Sequence, residues 1–199
     1  MPLIVLEGID GCGKTTQTEL LATALTAAGR PVRRLREPGG TRLGEQIRSL
    51  LLDPATQACP VAELFGYLTA RAQLCSEILA PALAAGDWVL MDRFWPSTVA
   101  YQAYGLGLNP APVLSAIALA LGGIRMDYGF WLDVDPEEAQ RRRRASRAAD
   151  DRIEARGLEY QRKVAAGYAA LTRDGILTRI DANGSPEAMA KAIHARVFV

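Results

Sequence analysis

A chain of 199 residues, 49% hydrophobic and 23% charged, has room for one α/β domain with a full apolar core and the balance of an ordinary globular protein. Its formal net charge of +1 excludes a global attraction to nucleic acid or to an anionic membrane as the main mode of recognition. Residues 3–6 are apolar, but no basic region precedes them and they stop at Glu7, so they are not a signal peptide; no apolar run approaches the roughly 20 residues of a bilayer span.

Short apolar runs alternate with longer helical patterns. Residues 3–6 read as a buried strand. The spacing predicts a helix over 14–28 with Leu20, Leu21, Ala24, Leu25 and Ala28 on its apolar face, stopped by Gly29. Residues 32–36 form a second strand, broken by Glu37-Pro38-Gly39-Gly40. A short helix is expected over 44–52 and a long one over 61–85, bent or ended by Pro81. A third strand over 88–91 stops at Asp92, followed by a helix over 112–121 and a strand over 130–134. Asp135 is placed as the N-cap of the next helix, with Pro136 in its first turn and Glu138 closing a capping box. A helix over 158–171, a strand over 176–180 and a helix opening at Ser185-Pro186 complete the chain. This alternation predicts a single α/β domain over 1–199, with a parallel sheet covered by helices on both faces. The stretch 141–156, RRRRASRAADDRIEAR, is too polar for a core.

Gly8-Ile9-Asp10-Gly11-Cys12-Gly13-Lys14-Thr15 matches the phosphate-binding loop pattern G-x-x-x-x-G-K-[ST], between a strand and a helix as the pattern requires. Glycines let the backbone turn sharply and aim N–H groups at phosphate oxygens, and the helix adds its positive end. Lys14 is expected to reach the β- and γ-phosphates, and the Thr15 hydroxyl to ligate Mg²⁺. No Asn-Lys-x-Asp element marks a GTPase, and the glycine loop is not that of a protein kinase. The scattered Cys12, Cys59 and Cys75 form no metal-type spacing and suit a reducing, cytoplasmic setting.

Further segments, taken with this loop, closely resemble bacterial thymidylate kinases: Arg36-Glu37-Pro38-Gly39-Gly40-Thr41, Asp92-Arg93-Phe94 with residues 97–102, Leu132-Asp133-Val134-Asp135-Pro136, and Asp151-Arg152-Ile153-Glu154. The resemblance spans nearly the whole chain. It implies transfer of the γ-phosphate of ATP to the 5′-phosphate of dTMP with Mg²⁺. It also implies a three-layer P-loop NTPase-type fold with a five-stranded parallel sheet, a mobile lid at about 141–157, and a homodimer. Without it, the reading stops at a P-loop kinase of a small phosphorylated acceptor.

Such a reaction brings two highly negative phosphates together. The acceptor monoester, with a second pKa of roughly 6, is largely a dianion at neutral pH and needs no strong base. Positioning and charge neutralisation are therefore expected to carry catalysis. Arg93 lies just past the carboxyl end of a strand, where open α/β sheets bind ligands. The resemblance gives it the acceptor phosphate and a reach toward the γ-phosphate; the plainer alternative is a surface ion pair with Asp92 or another carboxylate. Asp92 either positions Mg²⁺ through water or orients loops. The resemblance places Arg48 on the dTMP phosphate, against the alternative of a solvated helix charge. It places Pro38 at the dTMP site and Asp10 near the acceptor sugar and metal, and Glu37 is expected to fix the loop and Mg²⁺-bound waters.

The ATP site is expected to comprise Gly8, Ile9, Asp10, Gly11, Cys12, Gly13, Lys14, Thr15 and Thr16, with Arg142 packing on adenine. Four consecutive arginines, 141–144, cover every direction on a helix, so some face inward or a ligand, although a solvated mixed-charge face is the plainer reading. Family members whose P-loop lacks an arginine carry a catalytic arginine in the lid, and this loop has Cys12. Arg147 is the first candidate and Arg144 the second; Gln140, where the family is usually apolar, leaves the register between them open.

By the same resemblance Tyr67 stacks on thymine, with Phe65 as a rival on another helix face and an ordinary core aromatic as the plain alternative. Arg71, one turn on, donates to the thymine O4; Thr98 and Gln102 bond the base edge; Tyr101 lies against the sugar and crowds a 2′-hydroxyl. Cys12 is read as a small filler, His194 as a surface residue, and Trp88, Trp95 and Trp131 as core. A non-catalytic nucleotide switch is the competing class, but it has no need of acceptor-side arginines. A nucleic-acid-binding ATPase would need a basic face.

Overall fold

The computed structural model describes residues 2–145 and 151–198. Five parallel strands lie in the order β2-β3-β1-β4-β5: β1 (Leu3–Glu7), β2 (Val32–Arg36), β3 (Trp88–Asp92), β4 (Tyr128–Asp133) and β5 (Thr178–Asp181). β1 pairs in parallel with both β3 and β4, and all five of its residues are buried, as a continuous apolar run between two covering layers demands. Its side chains alternate between two cores. Leu3 and Val5 join Val89, Met91, Leu74, Leu79 and Phe94 on one face. Ile4 and Leu6 belong with Leu90, with Leu21 and Leu25 of α1 (Lys14–Ala27), and with Ile193 of α9 (Pro186–Val197). The expected three-layer α/β architecture is what the chain forms.

The other helices are α2 (Arg42–Leu52), α3 (Pro60–Leu74), α4 (Ala80–Ala84), α5 (Trp95–Thr98), α6 (Pro110–Leu121), α7 (Pro136–Ala145) and α8 (Gly157–Arg173). Helix α1 ends in a Schellman motif: Gly29, at φ 72°, donates to the Thr26 carbonyl and Arg30 to that of Leu25. Its buried face is narrower than expected, since Leu20 stays 38% exposed while Leu21 and Leu25 are buried. Helix α2 starts two residues early because the Thr41 hydroxyl accepts from the Gly44 N–H at 2.9 Å. Helix α6 starts at Pro110 rather than Pro112, because the Asn109 side chain caps the Ala111 N–H.

The long helix expected over 61–85 is divided: a π-helical turn, Cys75–Leu79, follows α3, and α4 carries Pro81 in its first turn and ends at Ala84. The segment from Trp95 to Gly105 also folds, as α5 running into a second π-helical stretch, Val99–Gly105; Pro96 and the absence of a 3.6-residue apolar period hid it. At α7 the Asp135 carboxylate accepts from the N–H groups of Glu137 and Glu138, but the capping box does not close. The Asp135 N–H goes to Asn183, and Glu138 turns to Arg141 and Arg142. His194 is half-buried with its ring edge-on to Phe198, not a free surface residue.

Register brings the strand ends level. Leu6 pairs with Asp92, and the Arg93 N–H donates to the Leu6 carbonyl at 3.0 Å. The Glu37 N–H donates to the Asp92 carbonyl, also at 3.0 Å. The loops leaving β1, β2 and β3 therefore emerge side by side at the carboxyl edge, where this class of sheet binds ligands.

Candidate active site

The glycines of the 8–15 loop are fixed by what surrounds them. A Cβ on Gly8 would lie 2.7 Å from the Cys12 sulfur and from the Leu132 carbonyl, and one on Gly11 would lie 2.4 Å from the Ala139 carbonyl. Both also have positive φ, 142° and 91°. Helix α7 thus presses its backbone against the loop. Cys12 is fully buried beneath it, the filler expected of it, and Gly8 and Ile9 are buried as well. The Lys14 ammonium is held at the centre by the carbonyls of Gly8 and Ile9, each at 3.1 Å, and by Asp10 at 3.6 Å. It sits where a triphosphate would exchange those carbonyls for phosphate oxygens.

Arg93 is the hub. It adopts φ 69°, a left-handed conformation that costs a residue with a side chain and is kept where the surroundings impose it. Its guanidinium donates to Asp10 at 2.6 Å, to the Gly8 carbonyl at 2.9 Å and, at 3.3 Å each, to Ser97 and Tyr168, and it lies 5.0 Å over the Tyr101 ring. The carboxylate that Arg93 pairs with is Asp10, not Asp92, and the guanidinium lies inside the cleft rather than on an open surface. Burial opposes ionisation of Asp10, but Arg93 and then Lys14 outweigh it and hold the carboxyl well below the usual carboxylate range. Beneath this group lies Glu7, fully buried. It accepts from the N–H groups of Phe94 and Ser97, from the Ser97 hydroxyl at 2.6 Å and from the Tyr168 hydroxyl at 2.9 Å. Burial raises its pKa against those hydrogen bonds. Glu7 and Tyr168 shape the turn that aims Arg93, and sequence reading missed both. A charged residue ending an all-buried strand was the available signal for Glu7.

Two clefts meet at Arg93. One is lined by Asp10, Glu37, Pro38, Arg48, Tyr67, Arg71, Arg93, Thr98, Tyr101 and Gln102, all ten expected acceptor-side residues, together with Leu52, Ser97, Asp151 and Ile153. Phe65 is 57% exposed and is not among them. The second cleft is lined by Asp10, Gly11, Gly13, Lys14, Thr15, Thr16, Asp92, Arg93 and Arg142, with Arg36, Arg141, Arg143, Gly184, Pro186 and Met189. Asp10, Glu37, Arg48 and Arg93 face both.

Within the first cleft, Arg71 is only 2% exposed. Its Nε and Nη2 donate to Glu37, the latter at 2.5 Å, and its Nη1 donates to the Thr98 hydroxyl at 2.7 Å. The Glu37 carboxylate pairs with Arg71, because a guanidinium so buried requires a counterion, and it also lines the second cleft. Burial raises the Glu37 pKa and Arg71 opposes it. Arg48 donates to the Pro38 carbonyl at 3.0 Å. The Tyr101 hydroxyl is buried and makes no hydrogen bond among the described residues.

The arginine-rich segment divides by direction. Arg142 bonds Glu138 and the Ala182 carbonyl at the edge of the second cleft. Arg143 lines that cleft, pairs with Glu154 at 3.3 Å and adds its charge to the field on Asp10. Arg144 is exposed and does not line the cleft, because its position on α7 turns it to solvent. Arg147 lies outside the described residues. Farther on, the Arg152 N–H donates to the Leu52 carbonyl at 3.1 Å and its Nε to that of Leu51 at 2.7 Å, tying Arg152 to the end of α2.

Comparison with known proteins gives one answer. Residues 6–193 match the family model described as thymidylate kinase. The chain is 47% identical over 191 residues to a thymidylate kinase of Synechococcus sp. (strain RCC307), covering 92% of this chain and 89% of that protein. To a thymidylate kinase of Gloeobacter violaceus it is 46% identical over 199 residues, covering 98% and 94% of the two. To one of Caldanaerobacter subterraneus it is 44% identical over 173 residues, covering 86% and 81%.

Proposed function

This chain belongs to the thymidylate kinase family, and on that premise we propose that it transfers the γ-phosphate of ATP to the 5′-phosphate of dTMP, giving dTDP and ADP. The observation that carries the reading is the meeting of two clefts at Arg93, one built on the phosphate loop and one on the acceptor-side residues. Lys14 and Arg93 neutralise the transferring group, Arg48 and Arg93 hold the acceptor phosphate, and Tyr67, Arg71, Thr98 and Gln102 take the base. Arg142 covers the adenine. A lid arginine supplies the charge that Cys12 does not; of those described, Arg141, Arg142 and Arg143 line the phosphate-loop cleft, and Arg143 adds its charge to the field on Asp10. The Tyr101 hydroxyl, which makes no hydrogen bond among the described residues, is matched to an acceptor-sugar oxygen. A nucleotide switch has no use for the acceptor-side cleft.

Mg²⁺ fits the donor side. Thr15 is exposed to the cleft that Asp92 also lines, and these are the hard oxygen donors this ion takes. Among the described residues no group of three or more His, Cys, Asp or Glu forms a cage, which suits an ion shared with nucleotide phosphates. When bound, the ion offsets phosphate charge that Lys14 and the arginines otherwise meet alone.

We also infer a homodimer in the cytoplasm. The apolar side chains of Leu50 on α2, Val61 and Phe65 on α3 and Leu114 on α6 are 63%, 48%, 57% and 43% exposed on helices that pack against one another, a face that a second copy would cover. Sedimentation equilibrium at micromolar concentration reads the mass directly, and a monomer there removes this inference. Among the described residues no helix is long and apolar enough to cross a membrane.

ADP release measured across dTMP, dUMP, UMP, dCMP and dGMP tests the reaction. Fastest turnover is expected on dTMP; faster turnover on a cytidine or guanosine acceptor removes the thymidylate assignment. Tyr67→Ala is expected to raise the KM for dTMP roughly tenfold with little change in kcat, the loss of one stacking face. A fall in thermal stability alone would return Tyr67 to the core.

A further inference from the structure

We propose that Glu63 is a positioning residue that fixes the direction in which the acceptor base is read, by locking the side-chain amide of Gln102. The proposal rests on the thymidylate reading above. Glu63 lies on α3, fully buried, and accepts from the Gln102 Nε2 at 3.1 Å. A carboxylate only accepts, so the nitrogen of the Gln102 amide must face it. The amide oxygen is thereby turned away from Glu63, and Gln102 itself lines the acceptor cleft.

Arg71 completes the pair. Glu37 takes its Nε and Nη2, Thr98 takes one hydrogen of Nη1, and a second Nη1 hydrogen remains. The cleft thus offers a fixed donor from Arg71 and a fixed acceptor from Gln102. The imide edge of thymine is the complement: O4 accepts and N3–H donates. Cytosine presents the reverse, an exocyclic amine that donates and a bare N3 that accepts, so both contacts fail. A Gln102 free to turn over would meet the cytosine N3 with its own N–H. The carboxylate that forbids this rotation therefore carries part of the discrimination.

The anion is itself held in place by the segment after the lid arginines. Arg156 donates to it through Nη1 at 3.1 Å and Nη2 at 2.5 Å, and Arg152 forms an ion pair with it at 2.8 Å. These cations keep Glu63 ionised against the cost of burial, and an ionised carboxylate cannot donate to the amide oxygen.

The test compares kcat/KM for dTMP and dCMP in the wild type, Glu63→Gln, Glu63→Asp and Arg156→Ala. A glutamine at 63 donates as well as accepts and lets Gln102 turn over. The dTMP/dCMP ratio is expected to fall by at least about tenfold in Glu63→Gln. It is expected to stay within about threefold of wild type in Glu63→Asp, which keeps the accept-only group, and in Arg156→Ala, where Arg152 still pairs with the carboxylate and holds it ionised. If Glu63→Gln does not fold, Gln102→Leu must lose the ratio while Glu63→Asp keeps it. An unchanged ratio in folded Glu63→Gln, or an equal loss in Arg156→Ala, overturns the proposal. A wild type that uses dCMP as well as dTMP overturns the thymidylate reading first, and this inference with it.

Discussion

Arg93→Ala is expected to lower kcat by about 10²–10³-fold, while the KM for ATP changes little. The guanidinium sits where both clefts open, only 14% exposed, with Asp10 at 2.6 Å and the Gly8 carbonyl at 2.9 Å. Its removal takes away a cation and also leaves Asp10 facing two phosphates with Lys14 as its nearer counter-charge, so the local field changes in the wrong direction twice. Arg93→Lys is expected to recover little of the loss, because one ammonium cannot meet Asp10, Gly8, Ser97 and Tyr168 in the plane that the guanidinium spans. Steady-state kinetics with both substrates varied measures this. A loss of less than tenfold would move the bridging role to Arg48 or Arg143.

Glu37→Ala is expected to destabilise the fold by roughly 3–5 kcal/mol, a fall in Tm of roughly 6–20 °C, because it strands a guanidinium that is 2% exposed. The Coulomb gain of the pair is balanced against its desolvation, so replacing both partners by apolar groups is far milder than removing one. Glu37→Leu with Arg71→Met should therefore recover most of the melting temperature but none of the dTMP affinity, since the base then loses its donor. Calorimetry together with dTMP titration separates the two effects. If the double variant binds dTMP as wild type does, Arg71 does not read the base.

The elements that sequence reading placed well are those with one dominant local cause. Residues 3–7 are uniformly apolar up to Glu7, and the 8–15 loop has a fixed spacing that only a strand–turn–helix satisfies. The stretch 95–105 escaped because two π-helical and α-helical pieces share it, and its burial comes from packing under α8, not from its own periodicity. The acceptor side chains were named through family likeness, and the clefts gather them, but their couplings were not legible. Nothing local in the sequence ties Glu37 to Arg71, 34 positions apart, or Glu63 to Arg156, 93 apart. The same holds for Arg144: four arginines in a row give no direction until α7 is packed, and packing turns Arg143 to the cleft and Arg144 to solvent. Glu7 looked like the end of a strand and is the anchor of the Arg93 turn.

In the proposed reaction donor and acceptor phosphates meet at Arg93, between a cleft based on Lys14 and one based on Arg71. A crystal structure of the protein with dTMP, Mg²⁺ and a non-hydrolysable ATP analogue tests it in one measurement. The predicted result has the dTMP phosphate within hydrogen-bond distance of Arg93 and Arg48, thymine between Tyr67 and Arg71, and the γ-phosphate on Lys14, facing the acceptor across Arg93. A dTMP molecule bound elsewhere, or one whose phosphate points away from Arg93, would contradict it.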